Sequence, residues 1–408
     1  MEQIIKNARA CMEERLPQLE EICEKNFYRV LTAFRGEQVS AQHFRSTTGY
    51  GYNDMGRDKL EQVYARVFGT EAALVRQNII SGSHAITLAL AGNLLPGDEL
   101  LSLGMPYDTL QTVMGINHPT PGSLQEYGVS CRVYDMDFEH PDLEEIKAQI
   151  TERTKIVALQ RSCGYSSRPS LSVQTIVAIC DAVKSVRPDL IFFVDNCYGE
   201  FVETSEPSMY SVDLMAGSLI KNPGAGLAPG GGYIVGRKEL VERAAVRLTV
   251  PGAGSELGPS LGDPRPYFQA LYLAPQIVME ALLGAIFTAS VMEQLGFVAR
   301  PDSREARADI IQTICLEQPE RLIAFCQGIQ KYSPVDSFVK PVPWPMPGYD
   351  NDIIMASGSF VDGSSIELSA DAPLREPYAV FMQGGLSRWH TVYALRNTLA
   401  DMKEQGLL

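Results

Sequence analysis

Between about residues 70 and 250 the chain alternates short apolar runs with stretches of helical periodicity, and that alternation leaves it few folds to choose from. The apolar runs are Ala73-Leu-Val, Glu99-Leu-Leu-Ser-Leu, Lys155-Ile-Val-Ala-Leu, Leu190-Ile-Phe-Phe-Val and Gly232-Tyr-Ile-Val-Gly. Helical patterns at 85–93, 142–150 and 173–186 separate them. A strand without polar alternation is buried on both faces, and a helix between two such strands carries the chain over to a parallel neighbour. The expectation is an α/β fold with a largely parallel sheet flanked by helices.

The flanks read differently. Residues 1–34 space Ile4, Ile5, Ala8, Met12, Leu16, Leu19, Ile22 and Cys23 at helical intervals, which predicts an amphipathic packing helix of the kind that often crosses a neighbouring subunit. A glycine- and tyrosine-rich loop at about 45–62 leads into a helix at 58–68. A long helix at 267–295 bridges to a C-terminal part. There the proline-rich run Pro341-Val-Pro-Trp-Pro-Met-Pro347 and strands near 353–360 and 365–369 suggest a smaller α+β domain. The expected division is a helical arm at 1–45, a large domain at 46–265, a linking helix at 266–298 and a small domain at 299–408.

Composition narrows the function classes. A net charge of −14 with scattered basic residues gives no footprint for nucleic acid or anionic lipid. The eight cysteines form no CxxC pair and no metal-ligand grouping with histidine, and several lie in apolar runs, so core thiols in a reducing compartment and no metal site are expected. The start of the chain lacks an apolar signal core, and the longest apolar stretch, 277–292, is interrupted by Glu280 and reads as too short for a bilayer. The expected setting is cytoplasmic.

Three pieces carry chemistry. Asp195 ends the run Leu190-Ile-Phe-Phe-Val-Asp195, and Lys221 follows 26 positions later in Ser218-Leu-Ile-Lys221-Asn-Pro-Gly-Ala-Gly. A strand-end aspartate is most often a cap and a lone lysine is most often solvated. Paired, they are what pyridoxal phosphate chemistry needs: a carboxylate to keep the pyridine nitrogen protonated and an amine for the Schiff base. Upstream, Ser81-Gly82-Ser83-His84 follows the apolar run 73–80 and opens a helix at 85. Gly82 lets backbone approach a phosphate, and the free amides and dipole of a helix start favour a dianion. Ser218 supplies a hydroxyl for the same phosphate. Tyr107, in Met105-Pro-Tyr107-Asp, has a ring able to stack on a pyridine and a phenol able to move protons, although a turn tyrosine after proline is an equal reading.

Together these segments resemble the fold-type I pyridoxal phosphate enzymes, and more narrowly the cysteine/methionine metabolism group that includes methionine gamma-lyase and cystathionine beta-lyase. The likeness is nearest to the branch labelled aluminium-resistance protein or methionine gamma-lyase-like. It is carried by Gly49-Tyr-Gly-Tyr-Asn-Asp-Met-Gly-Arg57-Asp, Ile80-Ser-Gly-Ser-His-Ala, Val194-Asp195-Asn-Cys-Tyr-Gly-Glu-Phe, Gly217-Ser-Leu-Ile-Lys221-Asn-Pro-Gly-Ala-Gly, Pro266-Tyr-Phe-Gln-Ala-Leu-Tyr-Leu-Ala-Pro275 and Ser365-Ile-Glu-Leu-Ser-Ala-Asp-Ala-Pro-Leu-Arg375. The resemblance implies a mainly parallel seven-stranded sheet in the large domain and a homodimer or homotetramer with shared active sites. It also implies a carbon–sulfur lyase performing β- or γ-elimination on a sulfur-containing amino acid. Gly82, Ser83 and Ser218 would bind the phosphate, Tyr107 would stack on the ring, Asp195 would pair with its nitrogen and Lys221 would carry the imine. Freed, Lys221 would abstract the α-proton with its basicity lowered by the cationic ring, and Tyr107 or Lys221 would protonate the leaving group. Tyr52 (or Tyr50) and Arg57 would reach the phosphate from the neighbouring subunit, although their spacing departs from the relatives' Tyr-x-Arg.

A second departure concerns the substrate. The relatives hold its carboxylate with an Arg-Leu-Ser arginine, where this chain has Glu367-Leu-Ser369. Arg375 is the first candidate to replace it, followed by Arg161 and Arg168, because a bidentate guanidinium suits a carboxylate. Other reactions of the same cofactor, transamination among them, and a weakly active cofactor-binding protein linked to stress are the alternatives, since fold does not fix chemistry.

Overall fold

The computed structural model describes residues 1–116, 120–346 and 351–408, so Pro347, the last residue of the proline-rich run, lies outside them. In chain order the elements are α1 (Glu2–Gly36), α2 (Met55–Val67), β1 (Ala72–Arg76), α3 (Gly82–Asn93), β2 (Glu99–Leu103) and α4 (Asp108–Met114). Then come β3 (Ser130–Tyr134), α5 (Leu143–Ala148), β4 (Thr154–Gln160), α6 (Val173–Val186), β5 (Ile191–Asp195), β6 (Leu214–Ser218), β7 (Gly232–Gly236) and α7 (Lys238–Leu248). The C-terminal part holds α8 (Arg265–Gln294), β8 (Val298–Arg300), β9 (Gln312–Cys315), α9 (Pro319–Lys331), β10 (Ile353–Ser357), β11 (Ser369–Pro373), β12 (Ala379–Gln383) and α10 (Arg388–Glu404).

The first seven strands form one sheet in the order β1-β7-β6-β5-β4-β2-β3. It is mainly parallel, as expected. Only β7 runs against the rest, pairing antiparallel with both β6 and β1. Strands β2, β5, β6 and β7 are buried along their whole length, because apolar side chains on both faces meet helices. A second, antiparallel sheet has the order β10-β11-β12-β9-β8.

Two strands of the large sheet carried no apolar run. β3 is an edge strand that is only partly buried, so Ser130-Cys-Arg-Val-Tyr mixes polar and apolar residues. In β6, Gly217 is small for a packing reason: a Cβ there would stand 2.5 Å from the Tyr233 ring and 2.7 Å from Glu200 Oε1. Three expected boundaries are corrected. The run 73–80 is a strand only to Arg76, and Ile80 is exposed. Helix α3 begins at Gly82 rather than 85, because the Ser81 hydroxyl accepts the His84 amide at 3.1 Å and caps it. In the small sheet, residues 365–368 precede β11 instead of forming a strand.

Helix α1 lies along α8 of its own chain. Ile5, Ala8, Met12, Leu19, Val30 and Ala33 are buried, and Phe34 meets Phe268 and Tyr272 edge-on. Buried Asn26 donates to the carbonyls of Phe201 and Glu203 at 2.9 and 3.0 Å, which ties the arm to the segment after β5. Helix α8 has 30 residues, and by length and composition it could cross a membrane, which corrects the sequence-based judgement. Its apolar surface is instead largely buried inside the protein.

Glu200 is fully buried against β6 and β7 and accepts the Tyr233 phenol at 2.6 Å. Burial pushes its carboxyl up to about 8, against the opposing effect of the Tyr233 hydrogen bond. The folded chain therefore keeps a proton that the unfolded chain releases near 4.5. Stability should fall by on the order of a few kcal/mol as pH rises through that window. Glu200→Gln, which mimics the protonated group, should flatten the thermal midpoint between pH 5 and 8 by comparison with the parent. An unchanged slope in the variant would place the titrating group elsewhere.

Candidate active site

The carboxyl ends of the parallel strands converge on one pocket, where open α/β sheets place their ligands. Strand β5 delivers Asp195, β6 delivers Ser218, and the loop after β1 delivers the start of α3. The approach is close: a Cβ on Gly82 would lie 3.0 Å from Ser218 Cβ and 3.4 Å from Cys197 Sγ. The first amides of α3, at Gly82 and Ser83, have no preceding turn to bond. Ser83 Oγ and the Tyr107 hydroxyl are 2.8 Å apart, so the residue before α4 is tied to the same corner.

Asp195 is buried and its Oδ1 accepts the Cys197 amide at 3.1 Å. Burial pushes its carboxyl up, while Lys221, the Cys197 hydrogen bonds and Arg168 act against that. Such a group gains from a cationic N–H partner. Lys221 stands with Nζ 3.9 Å from the centroid of the Tyr198 ring, and Tyr198 adopts the left-handed conformation (φ 72). Buried Asn222 donates to the carbonyls of Tyr198 and Glu200 at 3.0 and 2.9 Å, fixing the lysine loop against the segment after β5. Burial opposes the charge on Lys221, but Cys197, Tyr198, Asp195 and Tyr107 outweigh it and raise its pKa well above an ordinary lysine's. The chain's own groups thus favour the ammonium, whereas the expected lowering would come from the cationic ring of a bound cofactor. Burial first, then Asp195, push the Tyr107 phenol well up, so it stays protonated.

The pocket brings together Gly82, Ser83, Tyr107, Asp195, Ser218 and Lys221. Of the candidate arginines, Arg168 lines a small cavity together with Asp195, whereas Arg161 and Arg375 do not line it. Arg161 is completely buried and spent on structure: Nη1 donates to Asn196 at 2.8 Å and pairs with Glu206 at 3.3 Å, and Nη2 pairs with Glu203 at 2.7 Å. Arg168 lies over the Phe138 ring at 3.8 Å and donates through Nη2 to the carbonyls of Gln160 and Ser162. Its Nη1 is buried without a partner, and burial lowers its pKa to about 10. Arg375 is exposed on the turn after β11 and donates to the Tyr165 carbonyl at 3.2 Å. Glu367, at the position of the relatives' arginine, accepts the Phe360 and Val361 amides at 2.9 and 3.0 Å and clasps that loop.

Tyr50 and Tyr52 are exposed, with ring centroids 5.9 Å apart. Arg57, in the first turn of α2, is buried, paired with Asp58 and donating to the carbonyls of Gly51, Glu256 and Gly258. In this chain neither Tyr52 nor Arg57 joins the pocket.

Sequence reasoning did not single out Tyr198 or Asp371. Asp371, on β11, accepts the Tyr165 phenol at 2.6 Å and the Gln383 amide at 2.7 Å. Burial raises its carboxyl to about 6 despite these bonds and nearby Lys221. Both residues lie inside segments that carry the family resemblance, but only the folded chain places them beside Lys221.

The donor set fits pyridoxal phosphate. Helix-start amides and two serine hydroxyls suit the phosphate, a protonated phenol and a buried carboxyl suit the ring, and an enclosed amine suits the aldehyde.

A family model described as methionine gamma-lyase matches residues 1–403. An uncharacterised protein of Bacillus subtilis strain 168 is 47% identical over 394 residues, covering 96% of this chain and 94% of the relative. A solved structure from Listeria monocytogenes, described as a candidate cystathionine beta-lyase involved in aluminium resistance, is 44% identical with TM-score 0.95 over 98% of this chain and 99% of that one. A carbon-sulfur lyase involved in aluminium resistance from Clostridium novyi NT is 47% identical with TM-score 0.94, covering 98% and 95%. At 15% identity, a pyridoxal-5'-phosphate-dependent protein of Escherichia coli shares the fold, with TM-score 0.63 over 94% and 97%.

Gly82→Val should lower affinity for pyridoxal phosphate by roughly tenfold or more, since branched carbons at 82 would push α3 off Ser218. Equilibrium dialysis, with circular dichroism as the control for folding, measures this. Parent-like affinity would remove the phosphate from the start of α3.

Proposed function

We propose, because this chain belongs to the methionine gamma-lyase family and its pocket gathers Lys221, Asp195 and the start of α3, that it is a pyridoxal phosphate-dependent carbon–sulfur lyase. Its substrate would be a sulfur-containing amino acid, cleaved by β- or γ-elimination. The observation that carries the reading is the placement of the Lys221 amine, 3.9 Å over Tyr198 and within electrostatic reach of the buried Asp195 carboxyl. Two family names and a shared cofactor fold support it without fixing the substrate.

When bound, the cofactor supplies an electrophilic aldehyde and an electron-withdrawing ring. The amides of Gly82 and Ser83 and the hydroxyl of Ser218 hold the phosphate. The Asp195 carboxylate keeps a proton on the ring nitrogen, an ion pair that offsets the cost of burying its charge. Lys221 takes the α-proton of the substrate. The acidic groups around its amine then favour the ammonium, so the same residue is a competent acid on the return step. The Tyr107 phenol, protonated and fixed by Ser83, is placed to give a proton to a departing thiolate. Arg375 is the freest of the three arginines, because the one bond of its side chain is to the Tyr165 carbonyl at an exposed turn, and on this reading it would turn from there to the substrate carboxylate. In this reading a second copy of the chain completes the site with Tyr52, which is why that ring stands exposed here.

Lys221→Ala should abolish covalent attachment of the cofactor after borohydride reduction, read by mass spectrometry, and reduce turnover by on the order of a thousandfold or more. Persistent attachment at another residue would overturn the assignment. With sulfur amino acids as substrates, the loaded parent should release keto acid, ammonia and thiol together. Keto acid formed only on addition of an amino acceptor would identify a transaminase, and bound cofactor with no product from any amino acid would identify a binding protein.

A further inference from the structure

The wall that the small sheet gives to the pocket carries a carboxyl that the chemistry above leaves unused. Asp371 is buried, and both of its recorded hydrogen bonds, from Tyr165 and Gln383, arrive at Oδ2. Oδ1 has no hydrogen bond among the described residues, yet it is not among the sealed, unpartnered atoms, so it keeps accessible surface. Gln383 turns its amide nitrogen to Asp371 and leaves Oε1 buried without a donor. Asp371 Oδ1 is therefore an acceptor without a donor on a buried side chain.

This wall is joined directly to the lysine loop. The Ile220 carbonyl accepts the Ser365 amide at 3.1 Å and the Ser364 hydroxyl at 3.2 Å. Asp371 interacts electrostatically with Lys221, and Tyr198 with both. Tyr165, whose phenol orients Asp371, also takes Arg375 on its carbonyl, so a cationic and an anionic group flank one tyrosine.

We propose that Asp371, presented by Tyr165 and Gln383, is an anionic subsite for the side-chain end of the substrate, selecting amino acids whose side chain carries a second ammonium. For the lyase reaction this means a thioether bearing a distal ammonium. An ammonium has three donors and no acceptor, and so can supply the donor that Asp371 Oδ1 lacks. The pair gains strength from poor solvation, and a side chain ending in carboxylate is repelled. The inference rests on the reading of Lys221 as the cofactor lysine, which places the α-amino group of the substrate at that residue and its side chain along the remaining wall.

The test is binding of three amino acids of similar length to the cofactor-loaded protein, followed through the visible absorption of the cofactor. L-lysine should bind roughly tenfold tighter than L-norleucine, and L-2-aminoadipate more weakly than either. Asp371→Asn should erase the advantage of L-lysine while leaving L-norleucine within about threefold. Tyr165→Phe, which removes only the orienting phenol, should reduce that advantage by about threefold or more and covers the case in which Asp371→Asn does not fold. The proposal is overturned if the parent ranks the three ligands alike, if both variants keep the preference, or if Asp371→Asn weakens all three equally, the mark of a counter-ion to Lys221 or of an α-amino contact. Absence of any visible cofactor band in the loaded parent would instead reject the lysine assignment, and the subsite with it.

Discussion

One buried amide holds the site together. Asn222, next to Lys221, donates to the carbonyls of Tyr198 and Glu200, just beyond the strand that ends at Asp195. Each bond contributes only about 1 kcal/mol net, but leaving either carbonyl buried and unpaired would cost more. The two loops must therefore move together. The Asp195 carboxyl and the Lys221 amine are thus set relative to each other by one side chain, and Ser218 and Gly82 follow through β6 and the start of α3.

The parts of this architecture that were legible in the sequence are those whose cause is local. The runs at Glu99, Lys155, Leu190 and Gly232 became β2, β4, β5 and β7, because a strand covered on both faces must be apolar throughout. Glu2–Gly36 and Arg265–Gln294 were visible as helical patterns for similar reasons. What stayed hidden depends on distant packing. β6 ends in small residues because Tyr233 and Glu200 fill the space a side chain at 217 would need. β3 is an edge and needs no apolar face. The start of α3 was misjudged by three residues, since a serine cap reads as loop until its hydroxyl is seen to accept the His84 amide.

The same division applies to the site. Asp195 and Lys221 could be paired from spacing alone, because a strand end and a glycine-rich loop are local signals. The arginines could not be ranked that way. Arg161 looks available in sequence, yet it is fully buried, pairs with half-buried Glu203 and shares buried Glu206 with Arg29, and removing it would leave that acid cluster short of a cation at a cost of roughly 3–5 kcal/mol. Glu367 reads as an inverted charge at a carboxylate-binding position, but its oxygens are occupied by the Phe360 and Val361 amides. The substitution closes a loop and leaves the pocket's charge to others.

Those others are mostly acidic. Around Lys221 the chain gathers Asp195, Asp371, two phenols and a thiol, whereas two of its nearby arginines face backbone carbonyls or buried acids. A pocket of this sign cannot hold its ligand by general attraction for anions. On the proposed function, the phosphate would be localised by the amides and hydroxyls at α3 and β6, which are neutral and directional. The single lysine would then do double duty: its charge offsets the Asp195 and Asp371 carboxyls, and its engagement with the proposed cofactor would leave those carboxyls free to take up cationic partners. On the proposed function, the excess of acid would let one amine be both the cofactor's anchor and the proton carrier.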